Sequence, residues 1–205
     1  MTHGTISCPM NLHGLRWRGH DLRMAHRTAD ELTAGLDAIR RSPRGTGRVE
    51  LVVRRPVVDE REVLAEGELD PTVGLVGDTW NQRSSSRTDD GGPHPDMQLN
   101  IMNAAVANLV AGDREQWPLA GDQFYVDLDI SEDALPAWTK LRIGTAVIEI
   151  TDQPHLGCAK FTQRFGLEAH RFVNSPEGKA VRARGVNARV VEPGVVRPGD
   201  EIAVL

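Results

Sequence analysis

Aromatic residues are scarce in this sequence: 205 residues include four Phe, four Trp and one Tyr. A core of useful size therefore has to be built mainly from Val, Leu, Ile and Ala. Cysteine is scarcer still, with Cys8 and Cys158 far apart in the chain. Two thiols cannot make a disulfide framework for a chain of this size, and they cannot supply the thiolates of an iron–sulfur cluster. No apolar run approaches the ~20 residues that span a bilayer. The N-terminal stretch MTHGTISCPMNLHGLRWRGH lacks the continuous apolar segment of a secretory signal. The formal net charge of -5 argues against non-specific nucleic-acid binding, which needs a basic surface, but leaves room for a local basic pocket. These absences point to a protein of a reducing cytoplasm that handles a cofactor or small molecule, not nucleic acid or membrane. The length suits one domain with a sizeable core, or one domain with an extension.

Residues 28–41, TADELTAGLDAIRR, predict a helix. Thr28 and Glu31 have the spacing of a capping box, and Leu32, Leu36 and Ile39 fall on one face. Ser42-Pro43 stops it. RVELVVRRP reads as a strand with Val49, Leu51 and Val53 on one face, and EREVLAEGEL as a second strand. Residues 81–96, NQRSSSRTDDGGPHPD, are polar and rich in turn formers, which predicts a mobile surface loop near a pocket. MQLNIMNAAVANLVAG passes from strand to helix near Ala104, with Gly112 as the stop. Short strands follow in FYVDLDI, LPAWTKLRIG, TAVIEIT, KAVRARGVNARVVEPG and EIAVL, interrupted by a turn and short helix in HLGCAKFTQRFG. This pattern predicts a mainly β (α+β) protein, a barrel or sandwich with peripheral helices.

The chemistry concentrates around Cys158, where His155, Lys160 and Arg164 all lie within six residues. A thiolate is the nucleophile and the metal ligand, and nearby cations or a helix N-terminus stabilise it. Gly157 permits close approach of another molecule. Two other readings fit the same residues. A lone cysteine is more often a small buried apolar residue. His155 and Cys158 also resemble half of a zinc site, but no second closely spaced Cys/His pair accompanies them. His13, His20 and His26 are too loosely spaced for a metal site and read as surface or packing residues.

The order of LAGDQFYVDLDIS, LPAWTKLRIGTAVIEITDQPHLGCAKF and ARGVNARVVEPGVVRPGDEI resembles the MOSC domain, the module named after the C-terminal domain of molybdenum cofactor sulfurase. GLVGD at 74–78, AGD at 120–122 and LRIG at 141–144 resemble its turns and barrel strand, and Cys158 matches its single characteristic cysteine. The likeness is to small stand-alone bacterial members. It implies a MOSC-like β-barrel domain over residues 48–205 behind an N-terminal extension, 1–47, with one helix. It implies a molybdenum–pterin cofactor, with Cys158 as catalytic residue and molybdenum ligand, in a reductase of N-hydroxylated compounds. The alternative it implies is a non-redox carrier holding persulfide sulfur on Cys158. Cationic donors suit the phosphate of a pterin, so His155, Lys160, Arg164, Arg182, Arg184 and Asn187 are the cofactor-binding candidates. Pyridoxal phosphate belongs to the family through an upstream desulfurase domain, which this sequence does not carry. With no ferredoxin-type cysteine set either, an external electron donor or sulfur donor protein is the expected partner.

Overall fold

The computed structural model describes Gly14, the backbone of Arg16–Arg18, and residues 26–205. Cys8, His13 and His20 lie outside the described residues. In chain order the elements are β1 (Arg16–Arg18), α1 (Ala29–Ala34), α2 (Leu36–Arg40), β2 (Thr46–Arg54), β3 (Glu60–Leu64), β4 (Gly67–Asp70) and β5 (Gly74–Leu75). After them come β6 (Leu99–Asn103), α3 (Ala104–Ala111), β7 (Phe124–Asp127), β8 (Lys140–Ile143) and β9 (Ala146–Ile150). The chain continues with α4 (Ala159–Asn174), α5 (Pro176–Ala180), β10 (Val186–Glu192), β11 (Gly194–Val196) and β12 (Glu201–Val204). The strand order β2-β12-β8-β9-β10-β6-β7 closes on itself because β7 also pairs with β2. The result is a seven-stranded barrel with no open edge between those strands. β6 and β7 are parallel, and α3 lies in the connection that parallel pairing requires. β3 and β1 continue from β2 outside the closed ring, and β11, β4 and β5 form a small second sheet.

The barrel interior is aliphatic, as the shortage of aromatics predicts: Val52, Leu99, Ile101, Val126, Ile148 and Ile202 are fully buried there, with Phe124 as its one aromatic. A second cluster fills the space between the barrel wall and the helices. It joins Leu32, Leu36 and Ile39 to Val106, Phe161 and Phe165. Strand β2 serves both clusters, and here the simple alternation fails. Val49 faces the barrel interior while Leu51 and Val53 face the helices. The register with β7 shifts between Val49 and Leu51, and one extra residue in a strand reverses the facing of everything after it.

Other elements differ from the sequence expectation for local reasons. The capping box of Thr28 and Glu31 is present, but the 28–41 helix divides at Gly35 into α1 and α2. Leu109 of α3 packs so tightly on Gly35 that a Cβ there would overlap its side chain. α4 is longer than expected and is kinked at Gly166, whose φ of 86° breaks the helical run beside His26. The strand expected from Lys179 begins only at Val186. Before it, Ser175 caps the short helix α5 through the Gly178 amide, with Pro176 in its first position. The 81–96 loop carries bonds of its own: the Thr88 hydroxyl donates to the carbonyls of Ser85 and Gly92, and Arg87 donates to Gln153. No helix among the described residues is long and apolar enough to cross a membrane.

A buried ion pair fastens the end of β2. Asp78 accepts from the backbone amide of Arg55 at 2.9 Å and from its Nε and Nη2 at 2.8 Å each, and from the Trp80 amide at 2.9 Å. The same guanidinium donates to Asn100 Oδ1 and to the Gly121 carbonyl. Removing one partner of such a pair strands the other as an unpaired buried charge. Asp78→Ala should therefore lower unfolding stability by about 3–5 kcal/mol, read as the fall in the urea midpoint. A loss below about 1 kcal/mol would mean the pair is solvated like a surface bridge.

Candidate functional site

At the barrel end where β2 finishes and β6 and β7 begin, a cavity of about 420 Å³ opens between the β2–β3 turn, the loop after Thr79, residues 155–158 and α4. Its charged lining is cationic apart from Asp59: Arg55, Arg61, Arg83, Lys160, Arg164 and Arg184. The carboxylates divide unequally among them. Arg55 has Asp78, and Arg184 donates from Nη1 to both oxygens of Asp122 at 3.0 and 2.8 Å. Lys160 and Arg164 share Asp59, at 2.7 and 3.4 Å. Arg61 bonds no carboxylate among the described residues. It is 7% exposed, it donates from Nη1 to its neighbour's carbonyl, and its Nε has no partner. Burial, then the positive charges of Arg164 and Arg55, pushes its guanidinium down to about 10. It is still charged at neutral pH. A buried, charged and under-bonded guanidinium is an unmet demand for an anion.

Cys158 lines this cavity and is exposed. It is the N-cap of α4, where its carbonyl accepts from the Thr162 amide at 3.0 Å while its side chain makes no capping bond. The thiol is therefore left free at a helix end that favours negative charge. The reading of Cys158 as a buried apolar residue is excluded by this exposure. The zinc reading also finds no support: among the described residues no three His, Cys, Asp or Glu side chains gather as a metal site.

The structure brings His155, Lys160, Arg164 and Arg184 to the cavity with Cys158. Their roles differ. Lys160 is tied to Asp59 and holds that carboxyl below its usual range. Arg164 is anchored by the Leu119 carbonyl at 2.8 Å, and Arg184 lies over the Phe161 ring at 5.1 Å. Arg182 is not brought to Cys158. It donates to the Leu135 and Ile130 carbonyls and lines a second cavity of about 460 Å³ behind His155. Asn187 is fully buried and acts from behind, accepting from the Asn100 amide at 2.6 Å and donating to the Gln153 carbonyl. Arg55, Arg61, Arg83, Asn100 and Asp59 are the polar lining residues that sequence reasoning missed. All lie about a hundred residues or less upstream of Cys158, and VVRRPVVDEREV carries three arginines as its only hint.

His155 corrects one expectation. It was expected to stabilise a thiolate by its charge, but burial, then the guanidiniums of Arg184 and Arg55, holds its pKa well below the ordinary 6.5. Asp122 lies 3.6 Å from Nδ1, too far for a hydrogen bond, and both its oxygens are engaged by Arg184. The imidazole is neutral, and the cations of the site are the guanidiniums and Lys160. A buried neutral histidine takes up its proton only on unfolding, so its contribution is present above pH ~6.5 and is lost as pH falls below it. Between pH 6.5 and 5.5 the wild type should lose up to about 1 kcal/mol more stability than His155→Gln, measured by urea unfolding. Equal losses would show that His155 is protonated in the folded protein.

The sequence profile of the MOSC domain matches residues 78–203. The fold is similar to that of the YuaD protein from Bacillus subtilis, at 17% identity and a TM-score of 0.51 over 79% of this chain and 97% of that one. A hypothetical protein gives 22% and 0.53 over 82% of this chain and 70% of its own. YiiM from Escherichia coli gives 21% and 0.50 over 77% and 69%. Likeness at these identities concerns the fold alone. No curated protein matches the chain. The profile match extends over more than half of the sequence and includes Asp78, Asp122 and Cys158, and the chain belongs to the MOSC domain family.

Proposed function

We propose that the protein binds a molybdenum–pterin cofactor and reduces N-hydroxylated compounds, with Cys158 as the metal's protein ligand. The observation that carries this reading is the combination in one cavity of a free, exposed thiol and the under-bonded guanidinium of Arg61. A soft thiolate suits a metal with sulfur ligands, and a buried guanidinium suits a phosphate. Arg61 and Arg164 would hold the phosphate, with Arg83 beside them. Met97 and Phe161 would give the pterin apolar contact. Arg55 and Arg184 are held in place by buried carboxylates and keep the cavity wall rigid and positive. When bound, the molybdenum centre would supply two-electron redox chemistry, with electrons from an external donor protein. His155, kept neutral, adds no charge beside the thiol and is available as a hydrogen-bonding group on the wall.

The exposure of Cys158 also supports the second reading, a carrier that holds persulfide sulfur and passes it to a partner. Cys158→Ser separates the two. A ligand role predicts loss of most bound molybdenum, while stability stays within about 0.5 kcal/mol because the site is exposed. A carrier role predicts normal pterin content and lost persulfide labelling. Normal metal content and normal labelling in this variant would remove Cys158 from both roles.

Arg61→Met tests the phosphate site. It replaces a desolvated charge with an apolar chain of similar length, so stability should hold or rise. Pterin affinity should fall about 10–100-fold, the loss of one hydrogen-bonded charge. Unchanged affinity would move the phosphate elsewhere.

A further inference from the structure

The turn between β2 and β3 reaches over the cavity, and its tip is Val57-Val58-Asp59. Val57 is 50% and Val58 76% exposed, so no packing holds the tip down. Its link to the far wall is Asp59, whose Oδ1 accepts from Lys160 Nζ at 2.7 Å and from Arg164 Nη2 at 3.4 Å. Those partners lie 101 and 105 residues further along, on α4. Asp59 takes a φ of 64°, a left-handed conformation that an acidic residue tolerates but does not prefer. Lys160, Arg164 and the unpaired Arg61 all line the cavity with it. Among the described residues, the one carboxylate that lines the cavity with these three cations thus belongs to a thinly tethered loop tip, whereas Asp78 and Asp122 are locked inside.

We propose that Asp59 is a built-in competitor for the rim cations, one that holds down the cavity's affinity for anions and that a phosphate dianion displaces. The inference rests on the phosphate-binding role of the cavity. Exchanging one carboxylate for another leaves the charge at Lys160 and Arg164 unchanged, so a monoanion gains nothing by displacing Asp59. A phosphate dianion brings more charge and three acceptor oxygens, enough to engage Arg61, Arg164 and Lys160 together. It displaces Asp59, and the tip swings free of α4.

Isothermal titration with inorganic phosphate and with acetate, at pH 8 and matched ionic strength, tests this on the intact protein. Wild type should prefer phosphate. Asp59→Asn, an exposed substitution that keeps the left-handed turn available, should raise phosphate affinity about tenfold, and acetate affinity with it, because a competitor weakens alike every anion that must displace it. An unchanged phosphate affinity overturns the competitor role and leaves the phosphate site standing. Absence of phosphate binding to both proteins overturns the phosphate site and the competitor together. Elastase cleavage at Val57–Val58 is the second readout. Phosphate should speed nicking of the wild type, and Asp59→Asn should be nicked fast without it. Protection by phosphate, or no change, overturns the displacement.

Discussion

Asp78 accepts four hydrogen bonds inside the protein, three of them from Arg55. The strand β2 ends there, and from that point the guanidinium reaches Asn100 on β6 and the Gly121 carbonyl before β7. Three segments that meet when the barrel closes are thus pinned to one buried charge pair. Apolar packing would stabilise the same junction equally well or better. A charged anchor does something packing cannot: it places a cation at the cavity wall and fixes its direction.

The remaining cations follow from that anchor. With Arg55 paired to Asp78 and Arg184 to Asp122, their guanidiniums are fixed in place. Arg61, Arg83, Lys160 and Arg164 then outnumber the carboxylate that lines the cavity with them, Asp59, which makes the wall positive, and Arg61 is desolvated besides. A protein of formal net charge -5 maintains this local excess by burial, which limits screening by salt. Burying an under-bonded cation there costs stability locally, a cost common at binding sites.

Much of the barrel was legible in the sequence because period-two alternation and turn residues mark strands directly, and because the order of short fragments from Leu119 to Ile202 identifies the family. What alternation could not show is the bulge in β2: Val49 and Leu51 look equivalent, and only the shifted pairing with β7 separates them. The helix α5 was hidden because its signal is a cap, Ser175 with Pro176, within a stretch whose valines and alanine suggested strand. At the site, Cys158 and its neighbours on α4 were legible because a helix keeps sequence neighbours together in space. Arg61 and Asp59 were not. They reach Cys158 only through barrel closure, and no local pattern reports which distant strand ends will meet. Arg182 shows the converse, since it is close in sequence to Arg184 yet turned into another cavity by its left-handed φ of 45°.

The position of β12 has a consequence for how the protein is made. Residues 201–204 lie between β2 and β8, pairing with Thr46–Arg48 on one side and Leu141–Ile143 on the other. On the ribosome, β3 can pair with the end of β2 at once and β7 can later take its opposite edge, but the Thr46–Arg48 stretch stays open on the β12 side until β12 has emerged. More than 140 residues of chain wait in between, including the other five barrel strands. Closing so long a loop is slow, and an unpaired strand edge is open to association with other chains during that time. Rim residues drawn from both ends of the chain acquire their common wall in the same event. The cavity is thus a product of ring closure rather than of any segment, and a partly synthesised chain does not yet possess it.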